Sequence, residues 1–88
     1  MRVEIGVHEG LSHEQIVKLL DGLDGLFDKD PAFKPTDSGH GYGSFDYAAR
    51  GDGPATAELV QAVAKIARDA GLEMGFQSKQ LVMALFPE

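Results

Sequence analysis

The chain has 88 residues, with 8 Lys and Arg against 14 Asp and Glu, for a formal charge of −6 at neutral pH. With 43% hydrophobic and 25% charged residues it has an ordinary globular composition, which excludes wholesale disorder and fibrous repeats. Cysteine is absent, which excludes disulfides, thiolate zinc sites, iron–sulfur clusters and cysteine nucleophiles, and the few scattered basic residues argue against direct nucleic-acid binding.

So short a chain buries only about 60–65% of its unfolded surface, so residues 1–88 read as one α/β domain with little interior to spare. No apolar run approaches the roughly 20 residues that span a bilayer. Met1–His8 is too polar and too alternating for the core of a signal peptide, so the expectation is a cytoplasmic protein without membrane contact.

Val3, Ile5 and Val7 alternate with Arg2, Glu4 and His8, which predicts a half-buried strand over 2–8. Ser12 and Gln15 have capping-box spacing, and Leu11 and Ile16 stand where a hydrophobic staple places them, so a helix starts at Ser12. Ile16, Leu19, Leu20, Leu23, Leu26 and Phe27 then form one apolar stripe about 100° wide. Gly22 and Gly25 interrupt that helix and predict fraying or an unusually close neighbour, and Asp30-Pro31 ends it.

From Phe33 to Gly53, proline and glycine rule out helix; 43–50 reads as a strand with Phe45, Tyr47 and Ala49 inward, beside a short edge strand near 33–38. Ser38-Gly39-His40-Gly41-Tyr42-Gly43 between them reads as a flexible hairpin loop. Gly53-Pro54 opens a second helix whose buried stripe is Leu59, Val60, Val63, Ile66, Ala67 and Ala70, with Gly71 as its C-terminal cap and Leu72 folding back. Leu72, Met74 and Phe76 alternate as a further strand, Ser78-Lys79-Gln80 turns, and the apolar run Leu81–Phe86 reads as a strand covered on both faces.

This element order places two helices on one face of a mostly antiparallel sheet of four or five strands, an α+β arrangement that resembles a ferredoxin-like two-layer sandwich. That architecture hosts enzymes, regulatory modules and inhibitors alike, so function has to be read from sites.

Catalytic patterns are thin. The alternating glycines lack the spacing of a P-loop, and Gly43-Ser44-Phe45-Asp46-Tyr47 is not a nucleophile elbow, so no catalytic residue is assigned. His40, Tyr42 and Asp46 are the ligand-binding candidates of the glycine-rich 38–46 segment, the basis of an alternative reading as a small enzyme or a metal- or ligand-binding protein. His8, Glu9 and His13, and likewise Asp37, His40 and Asp46, mix nitrogen and oxygen ligands without a recognised metal spacing, so no metal and no cofactor is assigned.

Two features point to a protein partner. Asp21, Asp24 and Asp28 fall at i, i+3 and i+7, a carboxylate ridge suited to a basic surface. Leu81–Phe86 has one side more than two helices can cover, so Val82 and Phe86 are the expected contacts of a homodimer. The reading is a small acidic protein–protein interaction module, either an adaptor or regulatory domain or an inhibitor of a basic, nucleic-acid-binding partner.

Overall fold

The computed structural model describes residues 1–29, 33–52, 56–75, 77 and 80–87. They form β1 (Arg2–Val7), α1 (His13–Lys29), β2 (Phe33–His40), β3 (Phe45–Gly51), α2 (Ala57–Asp69) and β4 (Leu81–Phe86). The strands make one sheet in the order β2-β3-β1-β4 with every neighbouring pair antiparallel. Each helix thus connects two strands that lie two places apart, and the two connections interleave. This is the α+β two-layer sandwich expected from the sequence, with four strands.

Local signals set the helix ends. Ser12 Oγ accepts the Gln15 N–H at 3.2 Å while Gln15 Oε1 accepts the Ser12 N–H at 3.0 Å, the reciprocal capping box. At the far end of α2, Leu72 N–H donates to the Ala67 carbonyl at 2.8 Å and Gly71 N–H to Arg68 at 2.9 Å, with Gly71 at φ +80°. Those two bonds are the Schellman pattern, which needs a residue tolerant of positive φ at that place.

The core lies between the sheet and both helices. Val3, Ile5 and Val7 of β1 and Phe45, Tyr47 and Ala49 of β3 face Leu19, Leu23 and Phe27 of α1 and Leu59, Val63 and Ala67 of α2, all buried. Fully burying each leucine or phenylalanine contributes about 1.5–3 kcal/mol, so the alternation of the strands and the stripe of each helix carry the fold together. No helix among the described residues is long and apolar enough to cross a membrane.

Four local expectations change. The hairpin loop is shorter than predicted: Ser38, Gly39 and His40 pair opposite Tyr47, Asp46 and Phe45, and the chain turns over 41–44, where Gly41 N–H donates to the Ser44 carbonyl at 3.2 Å. Glycine permits such a loop without forbidding a ladder. The second helix begins at Ala57 with Thr56 as its cap, Thr56 Oγ1 accepting the Leu59 N–H at 3.2 Å; Gly53-Pro54 lies outside the described residues, as does Asp30-Pro31 after the first helix.

The strand expected over 72–77 is reduced to a single parallel bridge from Met74 to Leu81. Leu72 is buried as the cap residue of α2 rather than as part of a strand, and Gln80 Oε1 takes the Gln77 N–H at 3.0 Å, which turns the backbone aside. Phe76, Ser78 and Lys79 lie outside the described residues. Finally, Leu81–Phe86 is not covered on both faces: β4 is an edge strand paired with β1, and Val82, Leu85 and Phe86 are exposed. An uninterrupted apolar run does not distinguish a central strand from an edge one.

Candidate functional site

Because both helices sit on one face, the sheet has a second, uncovered face, and the registers say what stands on it. Arg2, Glu4 and Gly6 of β1 lie opposite Arg50, Ala48 and Asp46 of β3 and opposite Phe86, Ala84 and Val82 of β4. On β2, Lys34, Asp37 and Gly39 complete the same rows. One end of the face is therefore basic, with Lys34, Arg50 and Arg2 in line, and the remainder is acidic, with Glu4, Asp37 and Asp46.

Arg2 is held at its end by two neighbours: it forms an ion pair with Glu4, and its guanidinium lies over the Phe86 ring, 5.3 Å from the centroid. Beyond this end the face sinks into a shallow trough of about 580 Å³, floored by the small residues Gly6, Gly39, Ala48 and Ala84. Glu4, Asp37 and Asp46 line it with His8 and Val82. A Cβ placed on Gly6 would lie 3.4 Å from Asp46 Oδ1, so the Asp46 carboxylate leans over the glycine floor.

The residues singled out in the sequence divide between different parts of the molecule. Val82 and Phe86 stand on the uncovered face, 37% and 44% exposed. Asp46 lies on the trough wall, whereas His40 pairs opposite the inward-facing Phe45 and so belongs to the other side of the sheet, and Tyr42 is fully exposed in the turn. The three do not converge.

On α1, Asp21 and Asp28 are exposed, but Asp24 is half-buried and its Oδ1 accepts the Tyr47 hydroxyl at 2.7 Å. Among the described residues no three His, Asp or Glu side chains come together as a metal would require, so neither histidine cluster assembles.

Glu4 and the small-residue floor were not candidates in the sequence, and Asp37 stood there only in a metal-type set with His40 and Asp46, not on a binding face with Glu4. Glu4 could have been found from the alternation of β1, which turns it away from the core; the place of Asp37 on this face could not, because a bulge between Pro35 and Asp37 shifts the register of β2 and resets which side chains face out. Comparison with protein-family models, with curated proteins and with solved structures returns no match.

Proposed function

We propose that the protein is a small acidic interaction module of the cytoplasm, an adaptor or an inhibitor, that receives a basic protein partner on the uncovered face of its sheet. The observation that carries this reading is the trough, where Glu4, Asp37 and Asp46 surround a floor of glycine and alanine that lets a partner chain approach the backbone closely. The charge of −6 adds long-range attraction for a basic surface. Asp21 and Asp28 on α1 lie on the far side of the sandwich from this face, so they contribute to that general attraction and not to the contact.

Capture of partners from a host extract at low and high salt tests the reading. The captured protein should be basic and released by salt, and Asp37→Lys with Asp46→Lys should weaken its binding by at least about tenfold, or about 1.4 kcal/mol. Asp21→Lys with Asp28→Lys should weaken it much less. Binding that ignores both salt and the trough substitutions overturns the reading, and an inhibitor is separated from an adaptor by whether the captured protein loses its own activity in the complex.

A further inference from the structure

The two edges of the sheet are built differently. On β2 the edge carries Lys34, Pro35, a bulge and then Asp37, four devices that discourage another strand from pairing there. On β4 the edge is Leu-Val-Met-Ala-Leu-Phe, with no charge, no proline and no bulge in its register to β1. One edge is guarded and the other is not.

The backbone of β4 shows which of its groups face outward. Leu81 N–H donates to the Glu73 carbonyl at 2.9 Å and the Leu81 carbonyl accepts from Gly75 N–H at 3.1 Å, on the side away from β1. Backbone direction alternates along a strand paired on one side, so Met83 and Leu85 also turn their N–H and C=O groups to the open edge. The bridge at Met74 occupies the edge beside Leu81 and excludes a partner strand from that end. Among the described residues no other strand pairs with this edge, so the stretch left for pairing is Met83 to Pro87, with Leu85 at its centre.

We propose that a second copy of this chain pairs along that stretch, antiparallel about a two-fold axis at Leu85, to give a continuous eight-stranded sheet. Leu85 N–H and C=O meet those of Leu85 in the other copy, and each Met83 N–H reaches a Pro87 carbonyl, which needs no N–H from the proline. On the uncovered face Phe86 lies opposite the small Ala84, and on the helix side the two Leu85 side chains meet; these are the two most C-terminal of the exposed apolar side chains of β4. The outer edges of the dimer are then both β2, the guarded edge, so assembly stops at two. No charged side chain stands on β4, so pairing brings no like charges of that strand together despite the net charge of the chain. This pairing goes beyond the binding of a basic partner and does not depend on it.

The test uses the full chain alone, so its failure is separate from any failure of partner binding. Sedimentation at micromolar concentration should give twice the chain mass of 9.4 kDa. Because the chain has no cysteine of its own, Leu85→Cys provides a single reporter. Directly opposed residues of this kind lie about 5.5 Å apart at Cα, within disulfide reach, so Leu85→Cys should oxidise to a covalent dimer while Val17→Cys, exposed on α1, should not. Leu85→Lys and Leu85→Pro, the latter removing an N–H that β1 does not use, should each give a folded monomer by circular dichroism and sedimentation. A monomeric wild type, equal cross-linking of the two cysteine variants, or a Leu85→Lys protein that folds and remains dimeric would overturn the proposal.

Discussion

The hydroxyl of Tyr47 donates to Asp24 Oδ1 at 2.7 Å, joining the third strand to the first helix. Tyr47 is 3% exposed and its ring stacks on Phe27 and Phe45, with centroids 5.8 and 6.3 Å away. A buried tyrosine keeps its apolar body in the core only if its hydroxyl finds a partner, and Asp24 provides it. The same bond turns Asp24 toward the sheet, so a row of three aspartates at regular helical spacing is two exposed carboxylates and one structural one.

Charge reversal along that row should therefore give opposite signs. Asp24→Lys removes the acceptor of a charge-assisted hydrogen bond and should cost about 1.5–3 kcal/mol. Asp28→Lys replaces a carboxylate in the last turn of the helix, where the dipole disfavours it, and should add about 0.3–1 kcal/mol. Urea unfolding of the two variants measures both, and similar effects from the two would show that Asp24 has no special role.

Tyr47 should also leave a mark at alkaline pH. Burial first, then the bond to Asp24 and the charges of Asp24 and Asp28, push its phenol well above the ordinary value of 10.0. The unfolded chain releases that proton at lower pH than the folded one, so unfolding becomes easier as pH rises above about 10, by up to about 1.4 kcal/mol per pH unit. Below about pH 10 both states hold the proton and the contribution is constant. The wild type minus Tyr47→Phe difference in unfolding free energy, followed from about pH 8 to about pH 11, should narrow in the upper part of that range; a difference independent of pH would count against the assignment.

What could be read from the chain was local. The capping box at Ser12 and Gln15 and the cap at Gly71 and Leu72 each lie within a few residues, and the structure repeats them bond for bond. Leu72 also shows how a local signal misleads: its place in the alternation Leu72, Met74, Phe76 suggested a strand, yet it is buried because a helix ends there. The Tyr47 to Asp24 bond spans 23 residues and no spacing rule announces it. Sheet order was equally out of reach, since hydrophobic pattern fixes which side of a strand is buried and not which strand lies beside it; the trough depends on that order, and so it emerged only in three dimensions.

Gly22 and Gly25 offer a matched pair. A Cβ on Gly22 would sit 2.7 Å from Ile66 Cγ2 of the second helix, while one on Gly25 would meet nothing within 4 Å. Alanine is favoured over glycine by about 1 kcal/mol in a helix interior, so Gly25→Ala should stabilise by about 0.5–1 kcal/mol. At Gly22 the stiff β-branched neighbour turns that gain into a loss, with overpacking costing about 1–3 kcal/mol. Removing Cγ2 with Ile66→Ala should make Gly22→Ala harmless, a coupling that a double-mutant cycle by thermal or urea unfolding reads directly. Additive effects of the two substitutions would mean that the helices do not meet there.

Gln15 makes the most specific demand on its side chain. Its Oε1 completes the capping box with the Ser12 N–H at 3.0 Å, and its Nε2 donates to the Ala70 carbonyl at 3.1 Å, at the end of the second helix. It therefore closes the start of one helix against the end of the other, where donor and acceptor ends of the two backbones face each other. Judged locally, Gln15→Glu should be benign or better, because glutamate is the usual partner three residues after the cap in a capping box and suits a helix N-terminus. Across the helix pair it is unfavourable: the donor is lost and a carboxylate meets a carbonyl at a C-terminal end. The expected result is destabilisation by about 1–2 kcal/mol at neutral pH. The gap should shrink as pH falls below about 4, where the protonated acid can again donate to Ala70. A Gln15→Glu protein as stable as wild type at neutral pH would place the importance of Gln15 in the cap alone, and Gln15→Ala, which removes both bonds, would then lose no more than Ser12→Ala.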